Sequence, residues 1–188
     1  MEKYKIFQKW NTQTVVGVAI GAALYAVLMN YGGIRVFTNT SLTTAMIVPV
    51  IVGGLFGPLP AAVACGLGNV LADLIGAWGF WFDWAVGNAV MGFFVGMLPV
   101  YGARIEDGIF NNKQKWLYVL WAVVGNIVGI GVVTPLITMA FYSGEMAVTF
   151  AQAWAAIPSN LIIQLVVGIP LLVGLAKRNA SHQNLSKE

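Results

Sequence analysis

Seven polar side chains interrupt otherwise apolar stretches, and their types limit the chemistry available: Asn69, Asp73, Asp83, Asn88, Asn126, Asn160 and Gln164. Asn69 and Asp73 stand four residues apart, as do Asn160 and Gln164, so each pair shares a face if its segment is helical. A carboxylate or amide in such a stretch is costly unless it meets water, protein or a ligand, which makes it a functional candidate. None of them sits beside a histidine, since the single His, His182, lies in the polar tail. The sequence holds no glycine-rich phosphate loop with Lys and Ser/Thr. The single Cys, Cys65, excludes an internal disulfide and a cysteine-based metal site. What remains is recognition rather than catalysis. Amides, two carboxylates and the indoles of Trp84 and Trp154 suit a flat, neutral or weakly charged heteroaromatic ligand. No cofactor, no metal and no enzymatic activity are expected.

The elements that must hold these groups are membrane helices. Of 188 residues, 59% are hydrophobic and 9% charged, against roughly 25% charged in a soluble domain. A crossing helix needs about 20 apolar residues. Six spans are predicted over residues 14–31, 41–55, 58–77, 81–101, 116–142 and 150–176, forming an all-α transmembrane domain over 1–188. The second is the shortest, and Pro49 with its neighbouring glycines suggests a broken or tilted helix. Six spans place Lys3, Lys5, Lys9, Arg104, Lys113, Lys115, Lys177, Arg178 and Lys187 on one side and only Arg35 on the other. Nine cations of ten make that side, with both termini, cytoplasmic in a cell membrane. The net charge of +3 is then a property of the flanks, and nucleic acid is not an expected partner.

With this topology, Asp73 and Asp83 flank a short outer turn, where headgroup-level water is as good an account of Asp83 as a ligand is. Asn126 reads best as a hydrogen-bonding link between helices. Trp84, Asn88, Trp154, Asn160 and Gln164, with Asp83, Thr134, Thr138 and Tyr142, would converge on one outward-facing pocket if the fourth to sixth spans pack together. The Asn30–Thr40 connection, polar and glycine-bearing, would lie over it as a lid. Trp78 and Trp81 read first as an interfacial belt. The first span carries three overlapping small-residue pairs, Gly17/Gly21, Ala19/Ala23 and Ala22/Ala26, that allow close helix approach. Packing within the chain is the default reading of that face.

The run Gly53–Leu74, with its Gly-Pro hairpin leading into Gly-Leu-Gly-Asn-Val-Leu-Ala-Asp, is followed by Trp81-Phe82-Asp83-Trp84. Together with the small-residue first helix, these motifs resemble a substrate-binding S component of an energy-coupling factor (ECF) transporter. The resemblance is closest to the branch of riboflavin-type and hydroxymethylpyrimidine- or pyridoxine-type components. It implies a vitamin or vitamin precursor bound near the outer face. It further implies docking onto a transmembrane T component, and two cytoplasmic ABC ATPases that drive a toppling of the S component. It also implies a docking role for Ala19 and Ala23, with Ala22 and Ala26 as the alternative register. Two other readings stand beside it: a stand-alone channel or facilitator that oligomerises through the first helix, and a membrane enzyme using Asp73 and Asp83.

Overall fold

The computed structural model describes residues 6, 10–37, 40–77 and 79–185; Lys3, Lys5, Lys9, Trp78 and Lys187 lie outside the described residues. The first element, α1 (Thr12–Tyr31), opens on an Asn11 cap whose Oδ1 accepts from the Thr14 amide at 2.8 Å. Where an irregular loop was expected, the chain makes an antiparallel hairpin of β1 (Gly33–Phe37) and β2 (Thr40–Thr43). The fold is thus mostly helical rather than all-α. The threonine-rich segment pairs as a strand, and Thr43 then caps the next helix, its Oγ1 accepting from the Ala45 amide at 3.2 Å.

This hairpin shortens the second span. Four residues of 3-10 helix (Thr44–Ile47) run into the nine of α2 (Val48–Phe56), with Pro49 in the first turn, where its missing N–H costs nothing. At the usual rises that is about 22 Å, short of a hydrocarbon core of about 30 Å. Among the described residues five helices are long and apolar enough to cross: Thr12–Tyr31, Pro58–Ile75, Phe82–Tyr101, Asn112–Tyr142 and Met146–Ser181. They are built from α1, α3 (Pro58–Ile75), α4 (Phe82–Val95), α5 (Asn112–Gly125), α6 (Thr134–Tyr142), α7 (Met146–Ile162) and α8 (Gly168–Leu185), the last of which continues past Ser181. Two π-helical stretches, Asn126–Val133 and Ile163–Val167, join α5 to α6 and α7 to α8.

Central in the bundle, α3 packs against α1, α2 and α4, while α4 packs against α5, α6 and the first π-helical stretch. Glycines permit these approaches. A Cβ on Gly53 would lie 2.4 Å from the Cα of Gly96, and one on Gly129 would lie 2.5 Å from the Gly87 carbonyl. The interior is closed by Tyr25, Met91, Tyr118, Ile130 and Leu172, all fully buried or nearly so.

The two ends of the bundle differ in charge. Gly108 fits against Ala176 and Ala180, and Asn179 Nδ2 donates to the Ile105 carbonyl at 3.0 Å, so the Arg104–Phe110 connection lies on the end of α8. That end holds Arg104, Lys113, Lys115, Lys177 and Arg178. At the opposite end are the hairpin, Glu145 and a cluster in which the Trp81 and Tyr142 rings stand 5.2 Å apart. The backbone of Arg35 belongs to this hairpin end.

Candidate functional site

Most of the predicted polar residues lie in two buried networks that meet on α4. In the first, Asn88 Nδ2 donates to Asn69 Oδ1 and to the Trp84 carbonyl, each at 2.9 Å. Asn69 Nδ2 donates to Asp73 Oδ2 at 3.4 Å, and the Trp81 amide donates to the same oxygen at 3.1 Å. The four-residue spacing of Asn69 and Asp73 therefore does place them on one face, and that face meets α4.

Asn126 is the hub of the second network. Its Nδ2 donates to Gln164 Oε1 at 2.7 Å and to the Ala122 carbonyl at 2.9 Å, and its Oδ1 accepts from Asn160 Nδ2 at 3.0 Å. Among the described residues Gln164 Nε2 has only the thioether of Met91, at 3.1 Å, as its acceptor. A thioether is a weak acceptor, so this buried donor is poorly served. Met91 lies three residues after Asn88 on α4, one helical turn away, which brings the two networks side by side.

Proline and the π-helical geometry explain how the second network is framed. Pro135 lacks the N–H that would bond the Gly131 carbonyl one turn earlier. The Trp154 indole donates to that carbonyl instead, at 3.2 Å. In the second π-helical stretch, Tyr118 OH donates to the Gln164 carbonyl at 2.8 Å. Short π-helical insertions recur at functional sites, because they displace side chains from the regular ladder.

The remaining predicted residues are placed differently. Asp83 is completely buried; its Oδ1 accepts from the Trp84 amide at 2.9 Å and its Oδ2 accepts from the Thr138 hydroxyl. Trp84 is half-buried against the core, whereas Trp154 is 50% exposed on the outside of the bundle. The structure joins Asn160 and Gln164 through Asn126, holds Asn88 in the other network with Asn69, and bonds Trp154 to the Gly131 carbonyl. Sequence reasoning treated Asn126 only as a link between helices and passed over Met91, a residue type with no polar signature. Among the described residues no group of three or more His, Cys, Asp or Glu gathers as a metal site. An open depression of about 500 Å³ at the start of α1, lined by Asn11, Thr12, Gln13 and Val16, lies at the far end from these networks.

On α1 the structure separates the three small-residue pairs. Gly21, Ala22 and Ala26 face inward with Val18 and Tyr25, and a Cβ on Gly21 would touch Val52 and Ala64. Ala19 and Ala23 face outward among the exposed Val15, Val16, Ile20, Leu24 and Val27.

The family model for the S component of ECF-type riboflavin transporters matches residues 9–177. The chain belongs to this family. The chain is also similar to the UPF0397 protein of Aliivibrio salmonicida (strain LFI1238), 35% identical over 94% of this chain and 97% of the relative. Similar UPF0397 proteins occur in Vibrio vulnificus (strain YJ016), 36% identical over 94% and 98%, and in Photobacterium profundum, 32% identical over 94% and 97%. The fold is similar to the crystal structure of FolT bound with folic acid, with a TM-score of 0.59 at 16% identity, covering 86% of this chain and 98% of that one. As an ECF S component with five helices of crossing length, this is a multi-pass membrane protein.

Proposed function

We propose that this S component binds a water-soluble vitamin or vitamin precursor of the riboflavin or hydroxymethylpyrimidine/pyridoxine class near the outer face of the bacterial plasma membrane. In this reading the hairpin end is outside, the basic end and both termini are cytoplasmic, and the short Thr44–Phe56 segment completes a sixth span together with the hairpin. The observation that carries the reading is the burial of Asn88, Asn160 and Gln164 in hydrogen-bonded amide networks inside a member of this family. The three amides are held to Asn69, Asn126 and Met91 by bonds that a ligand edge can replace. Gln164 gains most from the exchange, because a carbonyl or ring nitrogen accepts better than a thioether.

Trp84 and Trp154 stack on the ring of the ligand, and Asp83 takes a ring nitrogen or hydroxyl. Aromatic planes and amides orient a flat polar ligand at less desolvation cost than several buried charges would incur. The hairpin, which packs against α7, is the lid. Delivery inward uses a T component and two ABC ATPases, which supply ATP hydrolysis and drive toppling. The outward exposure of Ala19 and Ala23 supports these two as the docking register, with Ala22 and Ala26 occupied inside the bundle.

Mass spectrometry of the compound released from the purified protein identifies the ligand. Calorimetry with that compound on Asn88→Ala, Asn160→Ala and Trp154→Ala then tests the site. Loss of one hydrogen-bonding partner weakens binding roughly tenfold to hundredfold. Wild-type affinity in all three variants would put the pocket elsewhere.

A further inference from the structure

The first turns of α5 carry a stripe of side chains that the bundle leaves uncovered. Lys113, Trp116 and Leu120 stand three and then four residues apart, so they share one face of the helix. Trp116 is 75% exposed, Leu120 is 54% exposed, and Lys113 is exposed one turn before Trp116. The buried side of α5, with Gln114, Tyr118 and Ala122, points the other way, where the helix packs on α4 and on the Asn126–Val133 stretch.

The two lysines of this turn differ in their partners. Lys115 Nζ donates to Asn112 Oδ1 at 3.2 Å, whereas among the described residues Lys113 has neither an ion pair nor a hydrogen bond. Asp107, the acid nearest to it in the chain, is paired with Arg104. No acidic residue stands in the first turn of α5, and the positive end of the helix dipole disfavours a cation there. The anion that stabilises Lys113 therefore comes from outside the fold. The order of the side chains says from where. At about 1.5 Å of rise per residue, the indole sits about 4.5 Å and the leucine about 10.5 Å further into the membrane than the lysine. Cation, indole and alkyl group in that order match the phosphate, the glycerol-ester layer and the acyl chain of one phospholipid.

We propose that this stripe is a docking site for an anionic phospholipid in the leaflet at the basic end of the bundle. The Lys113 ammonium takes the phosphate, the Trp116 indole N–H donates to a phosphate or ester oxygen, and Leu120 packs on the acyl chain. Charge complementarity selects the anionic class. Lys115, Lys177 and Arg178 stand at the same end as Lys113, so a headgroup with net negative charge is favoured over one that carries its own ammonium. The stripe lies away from the surface of Ala19 and Ala23, because α1 packs on α2 and α3 whereas α5 packs on α4. The lipid can stay in place while that surface is engaged, whatever ligand the protein carries.

The test uses the full chain in phosphatidylcholine vesicles doped with brominated phosphatidylglycerol or, over the same range of mole fractions, with brominated phosphatidylcholine. Bromine quenches indole fluorescence on contact, and the difference between wild type and Trp116→Phe isolates Trp116 from the other tryptophans. Brominated phosphatidylglycerol is expected to quench Trp116 at about fivefold lower mole fraction, the scale of one lysine at an anionic lipid surface. Lys113→Gln is expected to remove that preference, while Lys113→Arg and Lys115→Gln keep most of it. Lys113→Gln is also expected to keep the wild-type Tm, and a fall in Tm would make the lysine structural and overturn the site. Equal quenching by the two lipids in the wild type overturns the proposal. So does an equal loss in Lys113→Gln and Lys115→Gln, which would make the preference a diffuse property of the basic end. Loss of the preference on adding inorganic phosphate at constant ionic strength would assign Lys113 to a free anion and overturn the lipid. If neither lipid quenches Trp116, protein covers the stripe, as contact between two copies of this chain would, and the lipid site is refuted.

Discussion

Replacing Asn126 with alanine removes two side-chain bonds between helices at once, the 2.7 Å donation to Gln164 and the 3.0 Å bond accepted from Asn160. Its third bond, to the Ala122 carbonyl, lies within its own helical rod and adds little to the joining of α5 and α7. Hydrogen bonds between membrane helices average about 0.6 kcal/mol and reach about 1.7. Asn126→Ala should therefore destabilise the protein by about 1–3 kcal/mol. Gln164→Ala removes the same 2.7 Å bond together with the weak contact to Met91. Because the shared bond is counted in both single variants, the double variant should fall short of their sum by about 0.6–1.7 kcal/mol. Reversible unfolding in mixed micelles, followed by circular dichroism, gives all four corners of the cycle. Additivity within about 0.3 kcal/mol would refute the hub role of Asn126, since independent sites add to that precision.

Further outcomes are expected. Ala23→Trp should abolish transport through the T component while the isolated protein still binds ligand. Ala22→Trp, which faces α3, should instead lower the Tm of the isolated protein, because overpacking costs about 1–3 kcal/mol; equal behaviour of the two variants would contradict the register. Impermeant thiol labelling of intact cells should modify a cysteine placed at position 145 but not one at 107, and the reverse pattern would invert the topology. Gly87→Ala would put its Cβ 1.8 Å from Thr134 Oγ1 and 2.9 Å from the Gly129 carbonyl, so its Tm should drop, and Gly87→Ala with Thr134→Ala should recover part of the loss.

The long apolar stretches were legible in the residues because a lipid-crossing helix is a local property of about 20 side chains. The charge distribution was legible for the same reason, and the described cations other than Arg35 do collect at one end. The strand at the start of the second predicted span was not legible. Apolar content over 41–55 does not reveal that Thr40–Thr43 pairs with Gly33–Phe37, since strand pairing depends on a partner elsewhere in the chain.

The sequence by itself determined the inventory: amides and carboxylates in apolar helices, two sets of residues four apart, and three equivalent small-residue pairs on the first span. Only the tertiary structure decided how these were used. It split Ala19 and Ala23 from Ala22 and Ala26 by packing one side of α1 on α3. It gave Asn126 to Asn160 and Gln164, and it handed the carbonyl freed by Pro135 to Trp154. Spacing along a helix fixes which side chains share a face, but a hydrogen bond is completed by whichever helix that face meets.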